Sequence, residues 1–104
     1  MKRFDVWLVM KKSQHGRVVD NLGLCTILTP EELIDLSSLI VAPMTTSSQA
    51  LPSRVECEFE GSKGYIMCDQ IRVVEKSSFI KKLGKLELDV QVTLSDCLQE
   101  FFAL

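Results

Sequence analysis

The 104-residue chain is short of the residues that most often mark chemistry in a small protein. It has one histidine, so no H-E-x-x-H zinc site can form. Its four cysteines (Cys25, Cys57, Cys68 and Cys97) are widely spaced and include no C-x-x-C pair, which argues against a metal site or a redox dithiol. Their apolar neighbours fit reduced core thiols of a cytoplasmic protein. No Gly-x-x-x-x-Gly-Lys phosphate loop is present. No apolar run approaches the ~20 residues that cross a bilayer. The opening Met1-Lys2-Arg3-Phe4-Asp5 also lacks the apolar core of a signal peptide. Five Gly and three Pro are too few for a collagen-like or low-complexity chain. What remains is one ordinary domain over 1–104, without repeat or linker.

Positive charge is scarce overall but not evenly so. The net charge of −2 argues against binding nucleic acid by bulk electrostatics. Residues 1–17 nevertheless sum to +4, through Lys2, Arg3, Lys11, Lys12 and Arg17 against Asp5. Residues 18–71 sum to −6, residues 72–85 to +4, and the last nineteen to −4. Two basic segments on an acidic chain therefore need an explanation.

The pattern along the chain predicts mostly short strands. Phe4–Met10 and Gly23–Thr29 are rich in β-branched and aromatic residues, and the polar stretch Lys11–Asn21 between them reads as an exposed loop. Thr29-Pro30-Glu31-Glu32 has the residues of a helix start, with Thr29 as N-cap, for a helix of about two turns. Leu39–Met44 is an apolar strand, and 45–52 is a hydroxyl-rich loop. Arg54–Glu60 alternates strictly, Val55, Cys57 and Phe59 facing one way. Gly61-Ser62-Lys63-Gly64 follows as a hairpin turn, then one strand over Tyr65–Val74. Leu86–Val92 is a further strand candidate. Thr93 and Asp96 form a capping-box start for a C-terminal helix with Leu94, Cys97, Leu98, Phe101 and Phe102 on its apolar face. The sum is a small, barrel-like α+β domain, mostly β, of antiparallel strands closed by a helix.

Four features could carry chemistry. The hydroxyls of Thr45, Thr46, Ser47 and Ser48 at a strand end suit hydrogen bonds to phosphate or sugar oxygens, or equally a solvated turn. Asp69 and Gln70 interrupt an apolar strand, so Asp69 needs a partner such as Arg72 or a basic loop, or else serves as a site carboxylate. Lys11, Lys12, His15 and Arg17 would lay cations against a polyanion, or simply form a mobile solvated loop. Phe101 and Phe102 read as core or dimer interface, with an exposed anchor for a partner as the sharper alternative.

Five segments together resemble the MazF/PemK family of toxin–antitoxin ribonucleases. Lys2-Arg3-Phe4-Asp5-Val6-Trp7-Leu8-Val9 is similar to the family's K-R-G-D-V-W-L-V. Ile27-Leu28-Thr29-Pro30 is similar to V-L-S-P, and Ile40–Thr46 to V-V-A-P-I-T-S. Gly64-Tyr65-Ile66-Met67-Cys68-Asp69-Gln70-Ile71-Arg72 is close to G-x-V-L-C-D-Q-I-R, and Leu83-Gly84-Lys85-Leu86 matches L-G-x-L/V. The resemblance implies an SH3-like, CcdB-like barrel and a homodimer bound by a cognate antitoxin. It also implies metal-independent cleavage of single-stranded RNA without a cofactor. One departure stands out: where the family has Arg-Pro, this chain has Gly23-Leu24. Thr45 matches the family's catalytic threonine, and the arginine is gone. The expectation is that Arg17, with His15, supplies the missing cation while Asp69 or the hydroxyls of Thr45 and Thr46 complete the site. Lys11, Lys12, Ser47, Gln70 and Arg72 would then bind substrate. The alternatives are a CcdB-like poison of DNA gyrase, and a degenerate homologue that binds antitoxin without cutting RNA.

Overall fold

The computed structural model describes residues 1–46 and 51–103. Among these, the chain forms β1 (Asp5–Lys12), β2 (Val18–Ile27), β3 (Ser38–Thr45), β4 (Arg54–Phe59), β5 (Ser62–Met67), β6 (Arg72–Glu75), β7 (Phe79–Lys85) and a terminal helix, α1 (Leu88–Phe102). All pairings are antiparallel, and the sheet runs β4-β5-β3-β2-β1-β7, with β6 paired to the first half of β3. Register shifts interrupt β1 against both β2 and β7. Each extra residue bends a strand and raises its twist, which curls the sheet into a half-barrel. The expected class, an antiparallel barrel-like domain with a C-terminal helix, is the observed one.

Strict alternation divides β2 and β3 between two cores. Cys25, Ile27, Leu39 and Val41 pack with Val9 and Phe79 on one face, where Trp7 meets Phe79 edge-on at 5.8 Å. Leu28 and Ala42 face the other way and pack with Val55, Cys57, Ile66 and Leu94 under the β4–β5 hairpin and α1. A carboxylate joins this frame: Asp5 is 1% exposed, and its Oδ2 accepts the Lys2 N–H at 2.8 Å and meets Lys82 Nζ at 3.5 Å. Just before it, Phe4 holds φ at +69°, at the position where the family motif has glycine. Burial of its ring, with the Arg3 guanidinium 4.9 Å from the ring centroid, offsets the strain of that conformation.

Several local expectations are overturned. The stretch 11–21 is not a long loop, because β1 runs to Lys12 and β2 starts at Val18. The helix after Pro30 is a single 3₁₀ turn, Glu31–Leu33, and Thr29 does not cap it. Its hydroxyl instead accepts the Ile40 N–H at 2.8 Å. The hairpin turn is Glu60-Gly61, both at positive φ as a two-residue type I′ loop requires, so Ser62 to Gly64 belong to β5.

Tyr65–Val74 is not one strand. The six-residue advance from Ile66 to Arg72 must match the three-residue advance from Met44 to Val41 on β3, and the excess is taken up by a 3₁₀ turn at Cys68–Gln70. The strand expected at Leu86–Val92 is mostly helix. Thr93 lies inside α1, its hydroxyl donating to the Asp89 carbonyl at 3.0 Å, and the cap position is Glu87. Val90 and Val92 favour a strand locally, but seating Val90, Leu94, Cys97 and Leu98 on the core favours a helix, and packing outweighs propensity. Strand β7 was not expected, since its lysines hide the alternation.

Candidate active site

Thr45 ends β3, and β2 pairs with that strand through Cys25↔Pro43, Thr26↔Ala42 and Ile27↔Val41. Continuing this register by two residues carries Gly23 toward Thr45. A cavity of about 270 Å³ opens there, lined by Leu24, Met44, Thr45, Thr46, Cys57, Phe59 and the β5 residues Ser62 to Tyr65. Two of the expected hydroxyls, those of Thr45 and Thr46, therefore border one cavity. Ser47 and Ser48 lie outside the described residues.

The backbone at this corner is tightly constrained. Gly64 faces the exit of β3 so closely that a Cβ on it would overlap the Thr45 carbonyl oxygen and press on the Thr45 carbonyl carbon. No side chain fits at position 64 without moving Thr45. This gives the glycine of the motif a physical role: β5 can lie hard against the residue that ends β3.

The remaining candidates form separate groups. Arg17 and His15 sit in the turn between β1 and β2. There the Ser13 hydroxyl accepts the His15 and Arg17 N–H groups, each at 3.3 Å, and Gly16 takes φ +79°. Arg17 is six residues from Gly23, a contour of about 20 Å at ~3.3 Å per residue. The structure thus sets Arg17 apart from Thr45 rather than beside it. Lys12 lies at the end of β1, paired with Val18. Lys11 and Arg72 line a second cavity, of about 340 Å³, together with Asp20, and Arg72 Nη1 donates to Asp20 Oδ2 at 3.1 Å. Asp69 and Gln70 lie in the 3₁₀ turn, not in a strand. The partner of Asp69 is Arg54 of β4, at 3.5 Å, rather than Arg72 or the basic loop.

Cys25, Cys57 and Cys68 are buried core thiols, and Cys97 is half-buried against the core that holds Cys57 and Cys68. Burial pushes Cys25 up to about 12, against the opposing pull of Arg72. Cys68 is pushed up to about 12 by burial and, next, by its hydrogen bond with Cys97. Cys57 is raised mainly by burial and then by Glu56. Among the described residues no group of three His, Cys, Asp or Glu side chains could hold a metal ion.

A profile of the family described as PemK-like, MazF-like toxin of type II toxin-antitoxin system matches residues 2–102. The chain belongs to this family. Solved structures show the same fold. The Mycobacterium tuberculosis toxin MazF-mt6 superposes with a TM-score of 0.76 at 18% identity, over 96% of this chain and 97% of that one. An endoribonuclease in complex with its cognate antitoxin, from a mycobacterial species, gives 0.80 at 15% identity over 100% and 96%. MazF from Deinococcus radiodurans gives 0.76 at 17% identity over 100% and 97%. No curated protein matches at a significant level.

In this toxin the family's Arg-Pro position is a glycine at a bulge. Val9 pairs with Gly23 and Met10 with Asn21, so Leu22 is the extra residue. Gly23 takes φ +69°, and the Asn21 side-chain oxygen accepts its N–H at 2.9 Å. A Cβ at Gly23 would meet nothing within 4 Å, so the space beside it is open. An arginine there would have room but would strain the backbone. Leu24, in place of the proline, packs on the core and lines the cavity next to Thr45.

Sequence reading also passed over Lys63 and Tyr65, which line the same cavity. Their signal was the run Ser62-Lys63-Gly64, which becomes strand once the turn is moved to Glu60-Gly61.

Proposed function

We propose that this toxin is an endoribonuclease that cuts single-stranded RNA by attack of a ribose 2′-hydroxyl on the adjacent phosphorus. The observation that carries the reading is Thr45, held by Gly64 at the exit of β3 beside an open cavity, on a chain of this family. The P–O5′ bond breaks as the 2′-O–P bond forms. The proton lost by the 2′-hydroxyl is balanced by one gained at O5′, giving a 2′,3′-cyclic phosphate and a free 5′-hydroxyl. Such a reaction needs stabilisation of charge on the phosphorane-like transition state, and it does not by itself require a metal ion.

In this reading Thr45 and Thr46 contact the reacting nucleotide. Lys11, Lys12, His15, Arg17 and Arg72 hold the flanking backbone, and Gln70 is available to it from the adjacent turn. Asp69, paired with Arg54, holds that turn in place. The working form is a homodimer, and the cognate antitoxin covers the basic hairpin with an acidic, unfolded tail.

The test is incubation of the purified protein with a long single-stranded RNA in EDTA. Cleavage leaving cyclic-phosphate ends, with a 2′-O-methyl RNA resistant, is the expected result. Intact RNA, or products with 5′-phosphates, would overturn it. The loss of the arginine at Gly23 favours one second reading, a homologue that binds antitoxin without cutting RNA. Intact RNA together with antitoxin binding and unimpaired gyrase supercoiling would establish it.

A further inference from the structure

The face of the sheet that carries Thr45 holds two further groups suited to a phosphate. Directly opposed residues of antiparallel strands project to the same side. Thr45 opposes Tyr65 on β5, and Tyr65 opposes Glu56 on β4, so a hydroxyl, a phenol and a carboxylate stand in one row across three strands. Two residues before Tyr65, Lys63 points to the same side, opposite Glu58. Tyr65 is thus one strand spacing, about 4.8 Å, from Thr45, and Lys63 is a diagonal neighbour at ~7–8 Å. A lysine side chain spans that diagonal easily.

Two observations make this arrangement more than a surface coincidence. The first is Gly64, between the two residues, which lets β5 press against the Thr45 carbonyl and so fixes the spacing. The second is the open space at Gly23, where the residue opposite the end of β3 carries no side chain. On the other side of β3, β5 brings a lysine and a phenol to the cavity at Thr45. Both β5 groups also line the cavity that Thr45 borders. Glu56 faces Tyr65 and Glu58 faces Lys63, and both carboxylates line a separate cavity that Lys63 also borders.

We propose that Lys63 and Tyr65 bind the scissile phosphate beside Thr45 and stabilise the charge that builds on it, in place of a cation from β2. This rests on the nuclease reading above. It differs in assigning the stabilising charge to the β4–β5 hairpin rather than to Arg17.

The test compares wild type with K63A, K63R, Y65F and E58Q in two assays. One is cleavage of RNA, and the other is anisotropy binding of a 2′-O-methyl RNA that cannot be cut. Both side chains can be altered without opening the core, and thermal unfolding verifies that the variants fold. K63A is expected to lower kcat/KM on the order of 10², mainly in kcat, with partial rescue by K63R. Y65F is expected to lower it about tenfold. E58Q, which removes the carboxylate facing Lys63, is expected to tighten binding of the 2′-O-methyl RNA. Cleavage by K63A and Y65F within about twofold of wild type would overturn the proposal, whatever R17A does. If wild-type protein leaves RNA intact, the nuclease reading fails and the binding assay decides. Weaker binding by K63A and Y65F then supports the phosphate site, and unchanged binding overturns it.

Discussion

Single residues in this toxin are governed by what surrounds them more than by what they are. Cys25 and Cys68 both sit at 0% exposure with their thiols pushed up to about 12, so they stay protonated and inert near neutral pH. The consequence for stability has a definite sign. A thiol with ordinary value 9.0 when unfolded and about 12 when folded favours the native state fully below pH 9. That advantage is lost as pH rises toward 12, because the unfolded chain gives up the proton first. Each thiol should contribute a slope of about 1.4 kcal/mol per pH unit in that window. Urea unfolding at pH 8 and 10.5 checks this: the midpoint should fall, and fall less in a Cys25→Ala, Cys68→Ala variant. An equal fall in both proteins would remove the thiols from the account. The core assignment of the cysteines was legible in the sequence, from apolar neighbours and spacing. The ion partner of Asp69 was not, because Arg54 is fifteen residues away and meets it through the β4–β5 hairpin.

At the scale of elements, α1 shows how one helix can have very different faces. Leu94 is fully buried in the core, whereas Phe101 and Phe102 are 47% and 58% exposed and pack edge-on against each other at 5.1 Å. Of the two places expected for the Phe pair, core or dimer interface, the core is overturned, since the apolar stripe leaves the body of the domain before the helix ends. Leu94→Ala should cost about 2–5 kcal/mol. Phe102→Ala should change monomer stability by no more than ~0.5 kcal/mol. Denaturant unfolding measures both, and a large loss in the Phe102 variant would mean that a partner surface covers it. Boundaries were the least legible part of the elements. The start of α1 and the break at Cys68–Gln70 follow from packing and from the register on β3, and neither is written in local propensity. By contrast the strict alternation of β4 was readable at once, because the burial of Val55 and Cys57 against exposed Glu56 and Glu58 repeats it.

For the whole molecule, charge placement matters more than the total of −2. Lys11 and Arg72 lie at one cavity while Lys12 and Arg17 flank the hairpin turn next to it. RNA binding through these groups predicts a salt dependence, with each lost phosphate contact lowering the slope of log affinity against log salt by about 0.7 for a single strand. Titrating a 2′-O-methyl RNA across salt concentrations with wild type, R17A and R72A tests it. An unchanged slope in both variants would place the RNA elsewhere. Periodicity by itself determined a mostly antiparallel fold with a terminal helix, because these depend on alternation and helical spacing, while the candidacy of Thr45 came from its resemblance to the family motif. Which side chains stand near Thr45 was decided only by tertiary structure. Register carries Gly23 toward it, Gly64 presses β5 against it, and the contour of β2 keeps Arg17 away. Such neighbours depend on strand pairing between residues far apart in the chain, which no local pattern encodes.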